Sequence, residues 1–259
     1  MIGESNKSCS DTHLFKASLT FVPLVLLFCF ASSNAQTKLH DGDLDWKLKR
    51  DRKGIQIFLS RVPGSKFRAV MSVMEVKATP RELTALIMDL DNCPKWASMC
   101  KSARVVEQVS DTENYVYSVN NAPFPVRSRD IVSLVKWHFD EATGKVSMRS
   151  NATPDKLPKK RGLVRVQYAS SEWHFTPMSD GVVLVENYAH VDPNGKVPAW
   201  LTNLLIVESP YKTLKNMRKL VLNGNYRDAE IGFIHEDPSN DNSVVVDKKD
   251  VGAMEIQTN

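Results

Sequence analysis

Cysteine is scarce in this chain, with four in 259 residues, and no Cys-x-x-Cys pair occurs. That excludes a zinc module and a disulfide-dense mini-protein. Glycine is sparse too, at 11 residues, and no glycine-rich phosphate loop or dinucleotide turn is present. Charge is nearly balanced, with 34 Lys+Arg against 30 Asp+Glu and a net of +4. A dedicated nucleic-acid binder carries a stronger basic footprint, so no nucleic-acid partner is expected. No apolar run reaches the roughly 20 residues that a membrane-spanning helix needs. His40, His138, His174, His190 and His235 are scattered without metal-ligand spacing, and neither G-x-S-x-G nor H-E-x-x-H occurs. No metal, cofactor or catalytic constellation is therefore expected.

What remains is ordinary globular composition, 42% hydrophobic and 25% charged, in a chain long enough to build a substantial core. The exception is local. Ala17 to Phe30 is a largely apolar stretch without charge, preceded by Lys7 and Lys16 and followed by Ser33-Asn34-Ala35. A cationic start, a short apolar segment and a small-x-small site predict a signal peptide over residues 1–35, cleaved after Ala35. The alternative is an uncleaved anchor, since Glu4 and Asp11 lie in its leading segment. Cleavage leaves the net charge at +4 and keeps two cysteines, Cys93 and Cys100. In an oxidising compartment these either pair or stay as two thiols, one of them buried.

After a flexible lead-in at 36–43, one domain is expected over 44–224. From Trp46 the chain turns strand-like, and Gly54–Arg61 and Lys66–Lys77 alternate in the manner of half-buried strands, three strands in all. Thr79-Pro80-Arg81-Glu82 has the spacing of a capping box with proline in the first turn, and Leu83, Leu86, Ile87 and Leu90 follow as an apolar stripe. Strand candidates then recur at 102–109, 113–120, 129–139, 145–151, 162–175 and 181–191. A long amphipathic helix is expected from Pro198 to about Asn223, kinked at Pro210. Residues 225–259 read as a polar, largely disordered tail. The fold class is thus α+β, a curved antiparallel sheet of about nine strands with a helix on its concave face, enclosing an apolar cavity.

Several segments carry a family resemblance. Pro123-Phe-Pro-Val-Arg-Ser-Arg129-Asp130-Ile-Val132 is similar to the P-F-P-x-x-x-R-D signature of START domains, the steroidogenic-acute-regulatory-protein-related lipid-transfer family. Asp91-Asn-Cys-Pro-Lys-Trp96 resembles the end of its first helical segment, and Thr153-Pro-Asp155 to Arg165 its loop into a long strand. Trp173, and Asp192 to Asn203, resemble its final strand and helix start. The resemblance implies a helix-grip fold whose tunnel binds one lipid and carries it between membranes, with no enzymatic activity. A cavity enzyme using Glu186 and His190 as acid and base, or a lipid sensor that does not transport, is the alternative.

Adjacent residues of a strand face opposite sides, so only one of Arg129 and Asp130 points into a cavity. Arg129 is expected at the tunnel, meeting a phosphate or carboxylate, or else in a structural ion pair. Arg127, Tyr117, Glu186, Tyr188, His190 and Trp200 are the other candidate ligand-binding residues. In cholesterol-binding members a second arginine lies six residues past the motif arginine and pairs with an acid on the preceding strand. Here that position is Val135, so a phospholipid or fatty acid is expected rather than a sterol. Lys156, Lys159, Lys160 and Arg161 are candidates for transient contact with a membrane surface. The resemblance together with the signal peptide points to a monomeric periplasmic or secreted protein of the bacterial type.

Overall fold

The structure is a computed structural model that describes residues 44–235 except 196, 199, 200 and 203. The expected signal peptide, its lead-in up to residue 43, Trp200 and the chain beyond 235 lie outside the described residues. Strands β1 (Lys47–Arg52), β2 (Ile55–Arg61) and β3 (Arg68–Lys77) come first. Helices α1 (Pro80–Met88) and α2 (Cys93–Trp96) follow. Then come β4 (Cys100–Gln108), β5 (Glu113–Asn120), β6 (Arg129–Asp140), β7 (Lys145–Ala152), β8 (Val164–Arg165), β9 (Tyr168–Pro177) and β10 (Val182–Asp192). Helix α3 (Ser209–Leu222) comes last.

The strands form one sheet in the order β1-β2-β3-β10-β9-β7-β6-β5-β4, and β8 pairs with β6 off that path. Nine strands were expected and ten are present, because 162–175 divides into two. Its first part, β8, runs parallel to β6, while its second part, β9, joins the antiparallel path. The break at Val166-Gln167 leaves Arg165 buried beside Asp130, Nη2 to Oδ2 at 2.8 Å. Arg165 also donates to the carbonyls of Pro154, Leu157 and Pro158. One guanidinium therefore fixes β6 and the 153–165 loop together.

Local chemistry accounts for the other elements. Lys53 and Gly54 both adopt positive φ, 56° and 65°, the conformation of the two-residue turn that matches strand twist. The Thr79 hydroxyl accepts from the Glu82 N–H at 3.1 Å, and the Glu82 carboxylate accepts from the Thr79 N–H at 2.7 Å. Both capping bonds expected from the sequence are made. Helical backbone runs on from a π-helical turn, Leu204–Glu208, into α3, and Pro210 stands at their junction. The interruption expected at Pro210 thus takes the form of this irregular turn, since proline cannot make the regular backbone bond of an α-helix.

One face of the sheet receives the helices. Leu83 and Leu86 of α1 and Leu214 and Met217 of α3 are buried against Ile57 and Phe175. Each such side chain contributes roughly 1.5–3 kcal/mol by leaving water. Helix α3 is tied down at its margins. Arg50 of β1 pairs with Glu208, and Arg218 donates to the carbonyls of Lys53 and Gly54 at 2.7 and 3.0 Å. Cys93 and Cys100 form a disulfide with Cα atoms 5.9 Å apart. The loop it closes is bonded to α3 through Ser98 N–H to Thr213 Oγ1 and Ser209 Oγ to Ser98 O.

The domain runs past residue 224. Tyr226 donates its hydroxyl to Asp89 at 3.0 Å, Ile234 is buried, and Phe233 packs on Trp137. Within residues 225–235 of the expected tail, these three apolar or aromatic side chains pack on the core while most of their neighbours are exposed. Among the described residues no helix is long and apolar enough to cross a membrane.

The Asp130–Arg165 pair sets a stability test. Arg165→Leu leaves a buried carboxylate without its cation and costs about 3–5 kcal/mol, read as a fall in the urea midpoint. The double variant Asp130→Leu with Arg165→Leu recovers a large part of that loss. Equal loss in the single and double variants would show that the charge pairing is not what matters.

Candidate functional site

The sheet pleat decides which side chains reach the helix-covered face. In β5, Asn114, Val116, Ser118 and Asn120 point inward, and in β6 Arg129, Ile131, Ser133 and Val135 do. In β10 the inward residues include Ala189 and Val191. Between this face and the helices lie two cavities. The first, about 340 Å³, is lined by Val70, Ile131, Val191 and Arg129 from the sheet. Leu201, Leu205 and Ile206, from the segment leading into α3, and Pro210 at its start line it as well. The second, about 270 Å³, lies beside α1 and α2. Asn120 lines both. Cavities of about 300–1,000 Å³ with apolar walls and a few polar groups are the usual form of a small-molecule site.

Arg129 is the buried cation of the first cavity, which the exposed Lys66 and Arg68 also line. It is 8% exposed, and its side chain donates to two backbone carbonyls, Arg127 O at 2.6 Å and Pro193 O at 3.4 Å. No carboxylate pairs with it among the described residues. Its neighbour Asp130 turns to the other side of the strand and pairs with Arg165. Burial, and secondarily the nearby Arg127, push the Arg129 pKa down, yet a guanidinium stays charged at neutral pH. The result is a buried cation beside apolar walls, without a counter-ion among the described residues, a place that favours an anion.

The remaining sequence candidates fall elsewhere. Arg127 is exposed on the loop before β6 and contributes its carbonyl rather than its charge. Tyr117, Glu186, Tyr188 and His190 occupy the strand positions that face away from both cavities, so their expected place in the tunnel is corrected by the pleat. The Tyr117 ring carries Arg104 and Lys160 over it, at 5.5 and 4.4 Å. Tyr188 donates to Glu186 at 2.8 Å, and burial pushes its pKa up. His190 contacts Ser65 Oγ at 2.9 Å and stacks edge-on with Tyr168. Glu186 and His190 thus have separate partners outside the cavity, which removes the acid–base pair that a cavity enzyme would use. Trp200 is outside the described residues. Of the basic cluster, Lys156 pairs with Glu107 at 2.7 Å.

The chain can now be set beside known proteins. The START domain family model matches residues 33–224. The chain belongs to the START domain family. An uncharacterized protein of Pseudomonas aeruginosa is 34% identical over 174 residues, covering 67% of this chain and 85% of that protein. Human phosphatidylcholine transfer protein is 30% identical over 188 residues, covering 69% and 85%. The crystal structure of a STAR-related lipid transfer protein from Xanthomonas axonopodis aligns with a TM-score of 0.63 at 32% identity, covering 68% of this chain and 98% of that one. The helix-grip arrangement expected from the motif is the fold observed, and Arg129 of the START signature is the one motif charge that lines the cavity.

Sequence reasoning missed three groups. Arg165, Trp96 and Asn114 were not singled out as functional, although Trp96 and Arg165 both stand within the family-like segments. Asn114, an amide at the head of a Tyr/Val-rich strand, was the available signal for the second cavity.

Burial holds the His190 pKa below its ordinary value. The folded form therefore resists protonation more than the unfolded chain does. Its stability is full above the unfolded imidazole pKa of about 6.5 and declines as pH falls below that value. His190→Gln should flatten this part of the profile, measured as urea midpoints between roughly pH 7.5 and 5.5. An unchanged slope in the variant would mean that His190 does not carry it.

Proposed function

We propose that this START domain binds a single lipid in the first cavity, with an anionic phosphate or carboxylate at Arg129, and shields it from water for transfer between membranes. The observation that carries this reading is the buried Arg129 guanidinium, which lacks a carboxylate partner among the described residues and lines an apolar cavity. The relatives named for phosphatidylcholine and lipid transfer support it. A phospholipid or fatty acid fits better than a sterol. The cross-strand position that is charged in cholesterol-binding members is here Val135, opposite Asn114.

The test is binding of oleate and phosphatidylglycerol by displacement of a fluorescent fatty acid. Arg129→Gln should weaken both by tenfold or more, about the size of a charge-assisted hydrogen bond. Its thermal midpoint should hold or rise, because a desolvated cation has been removed. Arg129→Met, without any donor, should show the same loss. Unchanged affinity in both folded variants would contradict the proposal.

Transfer also requires contact with a bilayer. The loop that follows the cavity residues Asn121 and Ala122 exposes Phe124 at 95%. An aromatic ring so placed partitions into a membrane interface. Phe124→Ser should slow transfer between donor and acceptor vesicles several-fold while leaving equilibrium lipid affinity unchanged. Equal transfer rates would remove this loop from the docking surface.

We further propose a periplasmic or secreted location after cleavage near Ala35, with the chain acting as a monomer of the bacterial type. Three observations support this. The amino-terminal apolar run has signal-peptide form, the Cys93–Cys100 disulfide suits an oxidising compartment, and the relatives include proteins of Pseudomonas and Xanthomonas.

A further inference from the structure

The second cavity holds polar groups that the protein itself does not satisfy. Trp96 of α2 is buried, and its indole N–H has no hydrogen-bond partner among the described residues. The Oδ1 of Asn114 on β5 is also buried without a partner. Both residues line this cavity, as do Ser118, Ser133 and Ser150. The other walls are apolar, including Ile87, Leu90, Val116 and Trp137.

Such groups are rare in protein interiors, where buried donors and acceptors almost always find partners. An indole N–H requires an acceptor, and an amide oxygen requires a donor. A plain hydrocarbon chain offers neither. A hydroxyl or a secondary amide offers both from one small group.

We propose that the second cavity is a subsite for a hydroxyl or secondary amide carried along the hydrophobic part of the bound lipid. Trp96 donates to that group and Asn114 accepts from it. Asn120 lines both cavities, at the end of β5, so one elongated molecule can place its anion at Arg129 and this group between α2 and β5. The inference rests on the reading of the first cavity as a lipid site. It adds a selectivity that Arg129 alone does not supply, because Arg129 recognises the head and not the chain.

The experiment compares octadecanoic acid with octadecanoic acids hydroxylated at different carbons along the chain, using the whole protein and displacement of a fluorescent fatty acid. The best hydroxylated isomer should bind about tenfold more tightly than the unsubstituted acid, the worth of one to two satisfied buried hydrogen bonds. In Trp96→Phe and in Asn114→Leu that ratio should fall towards one, with a cooperative urea transition showing that each variant is folded. A ratio near one in the unaltered protein would overturn the inference and show that water suffices for these groups. A preference that persists in both variants would overturn it as well. If neither acid binds, the lipid reading of the first cavity fails on its own, separately from the selectivity test.

Discussion

Arg129 and Asp130 are neighbours on one strand, and the β pleat sends them to opposite faces. Each charge then meets a different environment. Asp130 reaches Arg165, and the pair is completed by three loop carbonyls around the guanidinium. Arg129 reaches the cavity and finds two backbone carbonyls and, among the described residues, no anion. The first charge is neutralised and holds the loop to β6. The second is left available, a few ångströms from where the first is fixed. Positioning an uncompensated cation requires a rigid support, because an unpaired guanidinium in a mobile segment would turn outward to water.

The helices complete the enclosure. Helix α3 is held across the sheet by an apolar face and by arginine contacts from β1 and to the first hairpin. The π-helical turn before it and Pro210 at its start form cavity wall. On its other side the disulfide-closed loop supplies Ser98 and Met99 to the first cavity and Trp96 to the second. The loop and α3 are joined by side-chain to backbone bonds and by packing of Cys93 and Trp96 in the same core cluster as Leu214 and Met217.

The legibility of the chain followed the physics of each signal. Capping at Thr79 depends on three neighbouring residues, so it could be read locally and is made as expected. The strand succession was legible for the same reason. Glu186, Tyr188 and His190 share one face of β10, as residues two apart in a strand must, but which face that is was not legible. Both sides of β10 are buried, Val183 and Val185 on one and Leu184 and Tyr188 on the other, so hydrophobic alternation carries no sign. The partner of Asp130 was hidden because Arg165 lies 35 residues away in sequence. Whether Cys93 and Cys100 pair also depended on geometry that spacing alone leaves open. The unsatisfied Trp96 and Asn114 groups could not be recognised at all without knowing what surrounds them.

The central claim is that the cavity beside Arg129 holds one anionic lipid. Native mass spectrometry of the protein, purified without denaturant and then exposed to phosphatidylglycerol vesicles, tests it most directly. The account predicts a species heavier than the bare chain by one lipid, which loses that lipid as an anion on collisional activation. Detection of the bare chain alone, both as purified and after exposure to the vesicles, would contradict it.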